Sequence, residues 1–346
     1  MRLGDPRLWV SLGVTVAAMA FALRGVDVRA VAAEFRRADP VRLFAVSLPA
    51  YLGVIALRGM RWRHLTNAIR PLPRSSLFRA TALGFLANNV LPLRIGEVLR
   101  SFALARHAGI APAAVLGTVV IERALDAWMV LALALGALWL AGDAGGVWQR
   151  GVVWLLPLAA VPVAIVAGLR LAPAGVRRVV LAICRPLPAG AASFALRQLD
   201  RVGEGLGALR GGSHLFWIAF HTVSIWMVAS TLPVLAGFWS LDLAFPSRFA
   251  ELVAGWLTLA AIAIAVALPS APGFFGVYHS ACRLVLEHLG FAAKTAVAAG
   301  TLIHAVFWLT TSLLGVLALR GLRRELPDAR SAPEGRREAA GSDRAP

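Results

Sequence analysis

Residues 88–100 read Asn-Asn-Val-Leu-Pro-Leu-Arg-Ile-Gly-Glu-Val-Leu-Arg, so two amides, a helix breaker, two arginines and a glutamate fall within one short stretch. Long apolar segments precede and follow it. A charge in lipid is expensive unless it faces a polar cavity or a partner. Irregular backbone at membrane depth is tolerated only where protein or water surrounds it. Pro92 removes a backbone donor, and Gly96 permits a turn or a close approach. Arg94 and Arg100 carry forked donors suited to phosphate oxygens. The amides of Asn88 and Asn89 can bind further polar groups, and Glu97, three residues from each arginine, can hold one of them in place. The chemistry indicated is recognition of an anionic head group; the competing reading is a solvated cytoplasmic loop.

Three other groupings carry possible chemistry. Glu122, Arg123 and Asp126 lie inside an apolar run, with Glu122 and Asp126 on one helical face and Arg123 within reach of Asp126. Such a set implies a buried network, serving either the site or a salt-bridge lock between helices. Pro272, Gly273 and Gly276 open a segment that also holds His279, where freed amides could face an anion and the imidazole could titrate or donate to a phosphate; a tight packing turn is the alternative. His304 and His221 sit in apolar runs, where a lone histidine most often bonds a neighbouring helix; His221 is assigned that structural role and His304 stays open. Arg58, Arg61, Trp62 and Arg63 end an apolar run and suggest interface anchoring, with arginines snorkelling and the indole at head-group depth.

The elements that must position these residues are membrane helices. The chain is 59% apolar over 346 residues, and its mean hydropathy is +0.72. A helix needs roughly 20 apolar residues to cross the hydrocarbon, and candidate spans lie at 8–23, 41–58, 115–141, 151–170, 214–239, 249–268 and 294–319. The first lacks a good cleavage site and reads as a retained span rather than a signal peptide. Segments 76–105 and 270–290 are apolar but interrupted, and read as broken or re-entrant. The expectation is an all-α, polytopic helical bundle of about 7–8 spans, occupying residues 1–320, with a disordered polar tail at 321–346. Pro92 with Gly96 and Pro272 with Gly276 share a spacing, and paired broken segments are a pointer to a midplane transport site.

The net charge of +17 is almost all arginine, Lys294 being the single lysine. Arginine-rich loops at 59–80 and 170–212 point to the cytoplasmic side, which puts the N-terminus and the tail there as well. Anionic lipid is the natural partner for these charges, and nucleic acid is excluded for want of a soluble basic domain. Cys184 and Cys282 have neither metal spacing nor a disulfide pattern. No phosphate-binding loop, metal-ligand cluster or nucleophile elbow occurs, so no catalytic residue, cofactor or metal is expected.

Arg58 with Arg61-Trp62, then Asn88-Asn89, then Leu91 to Glu97 with Arg100, then Glu122-Arg123 with Asp126, and finally Pro272 to Gly276 form an ordered set. In this set the chain resembles the flippase-like family that includes the transmembrane region of lysylphosphatidylglycerol synthases, over about residues 8–320. The resemblance implies a helical membrane fold with re-entrant segments around a polar cavity, and lipid handling. For the synthase relatives it implies translocation of the aminoacylated lipid. Those relatives carry a soluble transferase domain after the membrane part, and the expectation here is a membrane domain without that activity. Phe274 replaces a family glycine, His279 stands at a family glutamate and His304 at a family arginine.

The reading that results is a plasma-membrane protein that binds an anionic phospholipid or glycolipid in a central polar cavity and moves it between leaflets. Asn88, Asn89, Arg94, Glu97, Arg100, Glu122, Arg123, Asp126, His279 and His304 form the head-group set, and Pro92, Gly96, Pro272, Gly273 and Gly276 the hinges. The alternative is a non-transporting accessory protein that presents lipid to a separate membrane enzyme.

Overall fold

The computed structural model describes residues 6–91, 94–142, 171–185 and 212–325, with short groups between 156 and 200. Pro92, most of the expected span 151–170 and the tail beyond Glu325 lie outside the described residues. Among the described residues the chain is all-α, with no strand. The helices are α1 (Pro6–Leu23), α2 (Val28–Arg37), α3 (Pro40–Thr66), α4 (Arg74–Val90), α5 (Gly96–Ala108) and α6 (Pro112–Leu140). They continue with α7 (Pro173–Cys184), α8 (Gly212–Val223), α9 (Thr231–Ser240), α10 (Arg248–Ala267), α11 (Val277–His288) and α12 (Ala293–Glu325). A π-helical stretch, Ser224–Ala229, joins α8 to α9. α12 runs on past the boundary expected at 320.

Local chemistry sets the helix ends. The Asp39 carboxylate accepts the amides of Val41 and Arg42 at 2.9 and 3.1 Å, and Pro40 follows as the first helical residue of α3. The Ser247 hydroxyl caps α10 through the Ala250 amide. Gly109 ends α5 in the left-handed conformation, φ +64°.

Among the described residues, four helical stretches are long and apolar enough to cross a membrane: Pro40–Thr66, His214–Ser240, Arg248–Ala267 and Ala293–Gly321. Trp9–Leu23 and Val28–Arg37, bent by 77° at their junction, would together supply a fifth. α6, at 29 residues, is also long enough by length, but it carries the three ionisable groups at 122, 123 and 126. The interrupted segments take the forms their breakers dictate. α4 and α5 pack against each other with a break at 91–95. The second break runs from Leu268 through a 3₁₀ turn at Pro272–Phe274 to Gly276, where α11 starts. At 12 residues α11 is roughly 18 Å long, short of the ~30 Å hydrocarbon.

The largest apolar core joins α6, the π-helical stretch, α9, α10, α11 and α12 through Val130, Trp226, Phe238, Leu259, Tyr278 and Ile303. α1 is fastened to the second break. The Ala271 amide donates to Thr15 Oγ1 at 2.8 Å, and Arg283 of α11 donates to the carbonyls of Phe21 and Arg24 at 2.7 Å, covering acceptors at the end of α1. Gly276 has φ +81°, and a Cβ there would lie 2.6 Å from the Thr15 carbonyl oxygen, so this contact admits only glycine.

Candidate functional site

Five arginines and three carboxylates from three helices and the first break converge beside a cavity of about 430 Å³, within the range of small-ligand sites. Asp126 of α6 is the hub. It accepts from Arg58 of α3 at 2.9 Å, from Arg61 of α3 at 2.8 Å, from Arg123 at 2.8 Å and from the Trp226 indole at 2.9 Å. Glu122, one turn earlier and fully buried, pairs with Arg61 at 3.4 Å and with Arg100 of α5. Glu97 lies 3.6 Å from Arg123 and accepts from Asn88 at 3.4 Å. Rings cover the cations: Arg100 lies over Trp62, 4.4 Å from its centroid, and Arg58 lies between Phe85 and Trp226 at 5.9 and 5.6 Å.

The helices hold this set for identifiable reasons. The 3.6-residue period puts Glu122 and Asp126 on one face of α6, and puts Arg58 and Arg61 on one face of α3. The π-helical turn at Ser224–Ala229 shifts the register of the span it interrupts, and it carries the Trp226 indole that reaches Asp126. α5 approaches α4 closely enough for the Gly96 amide to donate to Asn88 Oδ1 at 2.8 Å. That approach brings Arg100 to Glu122.

Arg94 stands apart from the network. It lies in the first break at φ +53°, a conformation that costs a non-glycine residue about 1–3 kcal/mol. Its guanidinium donates to the Val266 carbonyl, one of the orphan acceptors at the end of α10, and lies 5.5 Å from the Phe274 ring centroid. Phe274 itself has φ +63°. The two broken segments therefore meet across the cavity, each with a strained residue at the contact. Among the described residues Arg94 makes no ion pair.

The cavity is lined by Arg58, Arg94, Arg100, Arg123, Asn88, Glu97 and Asp126 together with apolar and aromatic side chains including Phe85, Val130, Leu259, Ile262 and Phe307. A family model described as the lysylphosphatidylglycerol synthase TM region matches residues 8–315. The chain belongs to that family. No curated protein and no solved structure matches it. Membership makes this a multi-pass membrane protein of a family tied to lipid handling.

In this lysylphosphatidylglycerol synthase TM-region protein the residues singled out by sequence divide into three groups. Asn88, Arg94, Glu97, Arg100, Arg123 and Asp126 line the cavity, and Glu122 lies behind them. Asn89 does not reach it: its amide donates to Thr311 and Ser312 at 2.9 Å and pins α4 to α12. His279 and His304 lie beyond the second break, away from the cavity wall. His304 Nε2 donates to the Gly273 carbonyl at 2.6 Å and its ring stacks on Tyr278, so it splints the turn that Gly273 makes at φ +76°. His221 donates to the Trp217 carbonyl at 2.6 Å within its own helix.

Two readings need correction. Glu97 holds neither Arg94 nor Arg100: Arg94 goes to a backbone carbonyl, Arg100 to Glu122, and Glu97 to Arg123 and Asn88. Spacing within one helix could not foresee partners on another. Arg58, Arg61 and Trp62 do not anchor the chain at an interface. Arg61 and Trp62 are 0% exposed and Arg58 is 8% exposed, because α3 turns this face toward the carboxylates of α6. The available signal was an arginine pair at i, i+3 with no acid nearby in sequence, matched by an acid pair with one arginine on another helix.

Arg94→Gly is expected to leave the fold about as stable as the wild type. Glycine adopts φ +53° without strain, and that relief of about 1–3 kcal/mol matches the about 1.5–3 kcal/mol lost with the charge-assisted bond to the Val266 carbonyl. Thermal unfolding of the two purified proteins in one detergent measures this; a markedly less stable variant refutes the strain argument.

Proposed function

We propose that this protein binds the head group of an anionic phospholipid or glycolipid at the arginines of the cavity, with the acyl chain against its apolar side chains, and moves the lipid between leaflets. The observation that carries the reading is the mixed lining of one cavity: four guanidiniums together with aromatic and aliphatic side chains. An amphipathic ligand matches that lining, because phosphate oxygens meet forked donors while the chain leaves water. Arg94 is the side chain free to engage the head group, since among the described residues its one hydrogen-bond partner is a neutral carbonyl at a helix end. The contact between the breaks, Arg94 against Phe274, is where a gate would open. The protein acts as a transporter and not as an enzyme, in the plasma membrane, with both termini cytoplasmic.

The test is reconstitution of the full chain alone into vesicles carrying a fluorescent anionic lipid, with external quenching to report sidedness. Wild type is expected to expose inner-leaflet lipid, and Arg94→Gly to slow that exposure by about tenfold or more, the worth of one charge-assisted contact. Equal rates for the two proteins remove Arg94 from the path. No movement with wild type, together with a co-purifying membrane enzyme, replaces transport with the accessory role.

A further inference from the structure

The charges around the cavity do not balance. Arg58, Arg61, Arg100 and Arg123 are set against Glu97, Glu122 and Asp126 in one connected network, four positive charges to three negative. Arg94, outside that network but on the same cavity wall, adds a fifth positive charge, so the site carries a surplus of two. Among the described residues no other acid and no lysine lines the cavity, and Tyr51 and Tyr278 are the remaining ionisable groups on its wall. The donor side is also in excess: Arg58, Arg61, Arg100 and Arg123 each keep a buried Nε–H with no partner among the described residues.

A surplus of two in a region walled by apolar side chains is costly until a ligand cancels it. A zwitterionic head group leaves the surplus untouched, and a phosphodiester monoanion cancels half. A head group carrying an added amine is repelled, because its ammonium meets the same field. A phosphate monoester, with about −1.5 to −2 charge at neutral pH and three acceptor oxygens on one phosphorus, cancels it in a compact group. The two guanidiniums with the most open access are those of Arg94, in the break, and Arg123, whose side chain is 37% exposed. Among the five arginines these two are the ones not fully buried, so they are the ones an entering phosphate can reach.

We infer that the head group taken by this cavity is a dianion, a phosphate monoester at the end of an apolar chain, and that head groups bearing an amine are disfavoured. The inference rests on the lipid-binding reading above and narrows it to one charge class. It separates the selectivity of this chain from the cationic aminoacylated lipid for which its family is named.

The experiment is a binding series on the full-length, delipidated protein in detergent at pH 8, followed by native mass spectrometry. The probes are phosphatidic acid, phosphatidylglycerol, phosphatidylcholine and lysylphosphatidylglycerol of identical acyl chains, with inorganic phosphate as a competitor. Phosphatidic acid is expected to bind roughly tenfold tighter than phosphatidylglycerol, and the other two more weakly still. Inorganic phosphate should fail to displace it, and Arg94→Gly should erase the gap between the first two lipids.

Equal binding of phosphatidic acid and phosphatidylglycerol, both above phosphatidylcholine, overturns the dianion and leaves the anionic-lipid reading standing. Equal binding of all the lipids overturns both. Displacement by inorganic phosphate at the concentration where phosphatidic acid saturates overturns the lipid source in favour of a free phosphate. Tightest binding of lysylphosphatidylglycerol reverses the inference outright.

Discussion

Asp126→Asn is expected to yield little or no folded protein, at a cost of about 3–5 kcal/mol, the usual consequence of removing one partner from a buried ion pair. Asp126 accepts from three guanidiniums and an indole, so its neutralisation leaves Arg58 and Arg61 buried with their charge uncompensated. Glu122 can absorb part of this for Arg61, but it already serves Arg100. Arg58 has no second carboxylate among the described residues. Fluorescence-detected size exclusion and thermal unfolding in detergent check the result. Arg178→Ala, at an exposed position on α7, is the comparison and should behave as wild type. A monodisperse Asp126→Asn protein with wild-type unfolding would mean that the network is solvated and not a structural hub.

Gly96→Ala is the second change of large effect, and it acts through shape alone. A Cβ on residue 96 would stand 2.1 Å from the Gly84 carbonyl oxygen and 2.5 Å from Asn88 Oδ1. The first of these is helix backbone and cannot rotate aside, so α5 must move away from α4. That movement breaks the bond from the Gly96 amide to Asn88 and withdraws Arg100 from Glu122. Overpacking of this kind costs about 1–3 kcal/mol or more, and here the damage extends to the charge network. Gly136→Ala, on α6 with nothing within 4 Å of the added carbon, is expected to be neutral or to stabilise by up to about 1 kcal/mol. Unfolding temperatures of the two variants should therefore move apart, and in the transport assay only the Gly96 variant should fail. Similar behaviour of the pair would show that α4 and α5 are not held at the distance described.

The two predictions probe different parts of one design. The network fixes α3, α5 and α6 to each other, and the glycine contact fixes α5 to α4. Arg94 and Phe274, at the contact between the breaks, are left as residues that can change state without dismantling either.

Much of this was readable from the chain alone. Apolar runs interrupted at fixed places specified an all-α membrane protein, because only helices satisfy their own backbone in lipid. Charges inside such runs had to be buried against partners, which marked Glu122, Arg123, Asp126 and the stretch from Asn88 to Arg100. What the sequence left undecided was who pairs with whom. Arg58 and Arg61 looked like interface anchors because their partners lie more than sixty positions away, on α6. Asn89 looked equivalent to its neighbour Asn88, yet adjacent residues on a helix point about 100° apart, and only one of them faces the cavity.

The sequence by itself determined the kind of solvent this chain lives in, its helical class, the places where helices break and the residues too polar to face lipid, since each follows from local composition and period. The tertiary structure decided the pairing of four arginines and the isolation of Arg94, the surplus of charge they leave, the meeting of the two breaks at Arg94 and Phe274, and the exclusion of His279 and His304 from the cavity. Those depend on how helices far apart in the chain pack, and packing is settled by shape and long-range charge that no local pattern encodes.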